Sequence, residues 1–430
     1  MTVRELALDA YSNVIHDGGY SNIVLNRIIE ENELSQKDRA LLTEILYGSI
    51  SRKLTLEYYL RPLIQTKLKR WQRDLLVISL YQLEYLDKIP SYAVINEAVE
   101  IAKERGGLQS SRQINGILRS FLREEKPKIS DIKNDATRIS IEYSLPKWIV
   151  NHLLKHHSVE DTENIAKSLL ERPNMYVRVN KKQTTRDALI KQLQDEGVTA
   201  KKSSIHDNAV IVYGGGLTET KAYKDGLFGI QDASSMCVNY ALDPTGNDIV
   251  LDACSAPGGK GFHALENMNG HVDFSDVFEH KLTLIKNESK RLKHTNLNVM
   301  LKDATKDEYD TMYDKIIVDA PCSGLGVLKR KPEIKYNVRE EDIDTLVDIQ
   351  LSILNHVKQY LKRGGTLVYS TCTLHQMENE NVAYTFKKQS TDIEFDEFEI
   401  PPFKFKGNMR QILPHELNTD GFFIAKFKKL

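Results

Sequence analysis

The 430-residue sequence has only four cysteines, Cys237, Cys254, Cys322 and Cys372. They lie far apart and form no CxxC pair, so neither a disulfide framework nor a zinc site of familiar spacing is expected. A reducing cytoplasm is the expected setting. No uninterrupted apolar run is long enough to span a bilayer. The N-terminal stretch carries charges through its apolar positions, so no secretory signal or membrane partner is expected. A strong net charge is also missing: 59 Lys and Arg face 60 Asp and Glu. The two signs nearly balance along the chain, so any contact with nucleic acid must rest on local patches. What is present, 41% hydrophobic and 28% charged residues, suits a multidomain globular protein.

Residues 1–125 read as an all-helical bundle. Leu6, Ala7, Ala10, Tyr11 and Val14 recur at helical spacing. Ser35-Gln-Lys-Asp38 looks like a helix start, and Gly106-Gly107 separates two further helices. Ser91-Tyr-Ala-Val-Ile-Asn-Glu-Ala-Val99 and Arg112-Gln-Ile-Asn-Gly-Ile-Leu-Arg119 resemble the NusB family, which implies RNA or partner binding. Arg112, Arg119 and Arg123 share a helix face and could grip phosphates, as could Lys67, Lys69, Arg70 and Arg73; a merely solvated face reads the same way. Residues 126–145 are charged and aperiodic and read as a linker. Residues 146–235 read as an accessory α+β module: two helices, then a βαβ-like fragment. Adjacent His156 and His157 read as a solvated pair, and no metal is expected.

From 236 to 430 strand and helix alternate, which predicts an α/β Rossmann-like domain with helices on both faces of a parallel sheet. Ligands of such sheets sit beyond the C-terminal strand ends. Candidate residues fall there. After the first strand comes Cys254-Ser255-Ala256-Pro257-Gly258-Gly259-Lys260, a small-residue turn opening a helix. Glycine permits close backbone approach, the helix N-terminus attracts a carboxylate, and Lys260 adds positive charge. A plain βα connection would share these features. Asp276 ends the second strand, where a carboxylate can accept from ribose hydroxyls; Asp303 ends the third, within reach of an adenine. Asp319-Ala-Pro-Cys322 and Ser370-Thr-Cys372 place two thiols at neighbouring strand ends. Spacing alone does not choose between them as nucleophile.

Asp252-Ala-Cys-Ser-Ala-Pro-Gly-Gly-Lys260, Asp319-Ala-Pro-Cys-Ser-Gly324, Ser370-Thr-Cys372, Gln411-Ile-Leu-Pro-His415 and Asp420-Gly-Phe-Phe-Ile-Ala-Lys426 resemble the RNA cytosine-C5 methyltransferases. With a NusB-like domain in front, the chain resembles the RsmB (Sun/Fmu) family acting on 16S ribosomal RNA, of the cytosine-967 type. The resemblance implies S-adenosylmethionine as methyl donor, S-adenosylhomocysteine as product, and a covalent adduct. In it Cys372 attacks C6, Cys322 assists release, and Asp319 supports charge at N3. Cys254–Lys260, Asp276, Asp303 and Asp319 match cofactor positions. Lys329-Arg330-Lys331, following the Pro-Cys motif, could hold RNA phosphates. The implied partner is 16S ribosomal RNA or a small-subunit assembly intermediate, met by a monomer. A transfer-RNA cytosine-C5 methyltransferase, or an RNA-binding assembly or antitermination factor with an idle catalytic half, are the alternatives. Gly261 stands where the family often has Thr or Ser, which predicts a looser first helical turn. The strand before Asp276 is unusually polar, which makes Glu279 the alternative ribose ligand.

Overall fold

A computed structural model describes residues 1–430. Two compact units emerge, Met1–Glu171 with Leu328–Glu340, and Arg172–Val327 with Glu341–Leu430.

The first unit is helical. Its helices include Val3–His16, Ser21–Glu31, Gln36–Ser51, Lys53–Leu60, Arg70–Tyr85 and Ser91–Arg123, the last bent at Gly107 with φ 73°. The starts follow local chemistry. Thr2 and Glu5 close a reciprocal capping box, and the Ser35 side chain accepts from the Asp38 N–H. Each helix turns one stripe inward, so Leu8, Tyr11, Leu42, Leu46, Leu76, Leu80 and Leu118 share one core. The stretch 126–145 departs from the expected linker: it contains the helix Asp135–Glu142. Asn134 caps it, and Ala136, Ile139 and Ser140, three to four residues apart, bury one face. Helices Lys147–His156 and Val159–Ser168 also fall in this unit.

Leu328–Glu340 joins the same unit although its sequence lies deep in the C-terminal half. Glu333, fully buried, accepts from the Ser21 N–H at 3.1 Å and hydroxyl at 2.8 Å. Lys335 Nζ donates to the Ser51 carbonyl at 2.7 Å, and Tyr336 meets the Ser144 hydroxyl at 3.1 Å.

The second unit holds two sheets. The small one is antiparallel: β1 (Met175–Val179), β2 (Thr199–Lys202), β3 (Ala209–Tyr213) and β4 (Phe228–Ile230), in the order β2-β3-β1-β4. The large one contains β5 (Ile249–Asp252), β6 (His271–Asp276), β7 (Leu297–Leu301), β8 (Tyr313–Asp319), β9 (Leu361–Thr371), β10 (Ile393–Phe395), β13 (Met409–Ile412) and β14 (Phe422–Lys429). A separate hairpin pairs β11 (Phe398–Ile400) with β12 (Phe405–Gly407). The order β10-β14-β9-β8-β5-β6-β7 is parallel from β9 to β7, with β14 antiparallel to β9 and β13 beside β14. Consecutive residues point into different cores. Val250, Ile317, Val368 and Ile424 enter one cluster; Leu251, Ile316, Leu367 and Phe423 enter the other. Both faces are therefore covered, which is why these strands read as unbroken apolar runs.

The small sheet is locked to the large one by Arg178, 1% exposed. Its guanidinium forms a two-pronged pair with Glu266 at 2.7 and 2.8 Å, and donates to the Gly259 carbonyl at 2.8 Å. A buried charge is tolerable only when paired and hydrogen-bonded this fully.

Candidate active site

The chain runs β5, β6, β7 to one side of β5 and then returns with β8 and β9 on the other. Such a reversal opens a crevice at the carboxyl ends of β5 and β8. Gly258, at φ 101°, turns the chain after β5 into the helix Gly259–Asn267. The turn is pinned to β6: Ser255 donates from its N–H and hydroxyl to the Ser275 carbonyl, at 3.0 and 2.9 Å. The Gly261 N–H donates to Asp252 at 3.0 Å. A Cβ on Gly261 would lie 2.4 Å from the Phe274 ring. The expected looser turn is thus filled from the neighbouring strand. Asp252 is buried, and burial raises its pKa to about 7.

Asp276 ends β6 and accepts from the Phe278 N–H at 3.1 Å, with Lys281 Nζ at 3.5 Å. The polar strand leading to it is satisfied internally: Asp273 accepts from Tyr313 at 2.7 Å and Asn298 at 2.9 Å. Pro257, Val277 and Phe278 expose apolar surface around this carboxylate. A carboxylate at a strand end, flanked by apolar surface and beside a glycine turn at a helix N-terminus, has the chemistry to take an adenosyl group with a charged amino-acid tail. Asp303, after β7, instead caps its own turn. It accepts from the Thr305 N–H and hydroxyl, at 3.0 and 2.6 Å, and these bonds lower its pKa.

Asp319 ends β8 opposite Ser370 of β9. Its carboxylate is held on both oxygens, by Lys260 Nζ at 2.5 Å and the Ser370 hydroxyl at 2.8 Å. Three residues on, Cys322 Sγ stands 3.4 Å from Cys372 Sγ. The hydrogen bond with Cys372, then burial, pushes the Cys322 thiol well above the ordinary range. Burial likewise raises Cys254.

Beneath the thiols lies a network that sequence reasoning missed. Glu378, fully buried, accepts from the Ser323 N–H at 2.8 Å, the Ser323 hydroxyl at 2.5 Å and Gln350 at 3.2 Å. Asn379 accepts from the Thr371 hydroxyl at 2.5 Å and donates to the Thr373 carbonyl at 3.1 Å. These residues clamp the two cysteine turns from below. The cysteine loops were visible in the sequence; the buried acid seven residues beyond β9 carried no local signal.

The structure brings Cys254–Lys260, Asp276, Asp319, Cys322 and Cys372 to one sheet edge. Lys329, Arg330 and Lys331 belong to the helical unit, where Lys329 is buried and only Lys331 is fully exposed. Lys329 therefore does not present the open phosphate grip expected of it. Arg112 and Arg119 are exposed on the helix Ser91–Arg123, with Arg119 bonded to Asn115 at 2.9 Å.

Comparison with known proteins agrees with this geometry. Residues 239–428 match the family model for the 16S rRNA methyltransferase RsmB/F, 1–123 the NusB family, and 145–216 the RsmF/B-like ferredoxin-like domain. The fold and site define an S-adenosylmethionine-dependent RNA methyltransferase. A probable ribosomal RNA small subunit methyltransferase B of Bacillus subtilis is 42% identical over 100% of this chain and 99% of its own. The ribosomal RNA small subunit methyltransferase B of Serratia proteamaculans is 32% identical, over 100% and 99%. The chain belongs to the RsmB family. Among solved structures, PH0851 superposes with a TM-score of 0.82 over 99% of this chain and 98% of its own, at 23% identity. A methyltransferase homolog protein from Pyrococcus horikoshii gives 0.59 at 27% identity, over 70% of this chain and 100% of its own. No helix is long and apolar enough to cross a membrane.

Proposed function

We propose that this protein methylates C5 of a cytosine in 16S ribosomal RNA, of the cytosine-967 type, through a transient bond between Cys372 and C6. The observation that carries the reading is the pair of sulfurs 3.4 Å apart, beside a doubly held carboxylate at the edge of the sheet. S-adenosylmethionine, when bound, supplies an electrophilic methyl. The chain's residues make C5 able to accept it. The Cys372 thiolate bonds to C6, and the electrons of the 5,6-bond move toward C5. Asp319 hydrogen-bonds at N3 and supports the charge that develops on the ring. After transfer a water molecule takes the C5 proton, the C–H electron pair re-forms the 5,6-bond, and the C6–sulfur bond breaks with its electron pair returning to Cys372. Cys322, its proton held firmly, stands against the departing sulfur and assists release. The target base must be unstacked to reach this edge.

Two substitutions test the division of labour. Cys372→Ala is expected to lower methyl transfer by several orders of magnitude while cofactor binding, read by calorimetry, persists. Cys322→Ala is expected to accumulate a covalent protein–RNA species that migrates slowly in a denaturing gel. Normal transfer by the first variant, or no adduct with the second, overturns the assignment. Mapping 5-methylcytosine in ribosomal RNA with and without the protein fixes the nucleotide.

A further inference from the structure

A wide groove of the helical unit has no part in the chemistry above. It is a groove of about 940 Å³, bounded by the segment before the helix Arg70–Tyr85, the start of that helix, Trp148, and the inserted segment near Lys335 and Arg339. Lys67, Lys69, Arg70 and Arg73 line it, and all four are exposed. Leu68 packs onto the helical core, so Lys67 and Lys69, on either side of it in the chain, extend outward together. Two of the three acids of the wall are already engaged, and the third, Glu340, is exposed. Asp74 is bonded to His16 at 3.0 Å and Ser12 at 2.7 Å, and Glu57 to Lys53 at 3.3 Å. None of the four cations is paired with a carboxylate. Lys335, buried beside the groove, has its pKa lowered to about 7 by burial, then by Arg52 and Lys53.

We propose that this groove binds single-stranded RNA, with Lys67, Lys69, Arg70 and Arg73 on successive phosphates and Trp148 stacking on a base. Unpaired cations and an aromatic side chain lining one groove are the combination that holds a flexible strand: the backbone supplies charge and the base supplies a π-face. A duplex hides its base faces, and an acidic peptide has none to stack. The inference rests on the reading of the protein as an RNA methyltransferase and names where substrate outside the target base is held.

The test uses the full-length protein and a fluorescein-labelled RNA of about 20 nucleotides, enough to span such a site, as single strand and as duplex. Lys67→Glu, Lys69→Glu and Arg73→Glu together change exposed positions only. The triple variant is expected to bind the single strand at least about tenfold more weakly at low salt, and to make the slope of log affinity against log salt shallower by about two. Trp148→Ala is expected to weaken binding about tenfold at unchanged slope, with Trp148→Phe recovering most of it. An unchanged slope in the triple variant, an indifferent Trp148→Ala, or duplex or poly-glutamate bound as tightly as the single strand overturns the proposal; the last marks a site for an acidic protein. Turnover separates this from the catalytic reading. The triple variant should raise KM for ribosomal RNA and leave kcat intact, whereas Cys372→Ala should bind the strand normally. If the wild type transfers no methyl to ribosomal RNA, the catalytic reading falls, and the binding data judge the groove by themselves.

Discussion

Under the cysteine turns, one buried carboxylate takes hydrogen bonds from Ser323 and Gln350, and a neighbouring amide ties Thr371 to Thr373. Along Lys67–Arg73, four charged side chains reach solvent with no carboxylate partner. The first region uses its polar groups on itself. An unmade bond there costs the full desolvation of the orphaned group, so geometry is fixed to within a side-chain rotamer. The second leaves its charge available and needs no fixed geometry, since a flexible polyanion adapts to it. Precision is concentrated where bonds would be made and broken, and open charge where substrate would only be held.

The contrast is broken most severely by Glu378→Ala. This strands the Ser323 N–H and Gln350 in a buried site and is expected to cost about 2–4 kcal/mol. The second unit should melt on the order of 10 °C lower, and transfer should fall with it; Glu378→Gln should restore part of both. Should Glu378→Ala melt normally, the clamp is not structural. A smaller effect is expected from Gly261→Ser, because the new Cβ meets the Phe274 ring at 2.4 Å. Overpacking of this kind costs about 1–3 kcal/mol, and Phe274→Val in the same chain should recover much of it. A neutral Gly261→Ser would mean that the ring moves aside.

A dependence on pH sharpens the comparison further. Asp252 has a folded pKa of about 7 against an ordinary 3.8. The folded state therefore binds the extra proton, and this contribution to stability, full below about pH 4, is lost as pH rises through 7. Lys335 goes the other way, from 10.5 down to about 7. Its contribution is present above pH 10.5 and is lost as pH falls through 7. Both tryptophans, Trp71 and Trp148, lie in the helical unit, and all four cysteines lie in the other. Tryptophan fluorescence and labelling of buried Cys237 thus report the units separately during urea unfolding. Rising pH should lower the cysteine-reported midpoint between 4 and 7 and raise the tryptophan-reported one between 7 and 10. Asp252→Asn and Lys335→Met should each flatten their own trend. If both probes move in parallel, the units do not respond independently.

The proposed catalytic edge is legible in the sequence because its residues sit in contiguous motifs at strand ends, where period and residue type agree. Asp252 to Lys260, Cys322 and Cys372 needed no knowledge of distant contacts. Glu378 was not legible: in Met377-Glu-Asn-Glu-Asn381 it looks like any solvated acid, and only closure of the loop after β9 buries it. The helix Asp135–Glu142 was hidden by its charges, although Asn134 and the spacing of Ala136 and Ile139 mark it in retrospect. Lys329 read as an open cation because nothing nearby says that Leu328–Glu340 packs with residues some 300 positions earlier.

That inserted segment bears on how the molecule is made. A nascent chain that has emerged as far as Glu171 holds every helix of the first unit except those after Val327, yet the Ser21 hydroxyl still awaits Glu333 and the Ser144 hydroxyl still awaits Tyr336. The N-terminal bundle cannot be finished during translation until more than 160 further residues, including β5 to β8, have left the ribosome. Completion of the earliest-made part is thereby deferred to a point when the methyl-transfer edge is already largely synthesised.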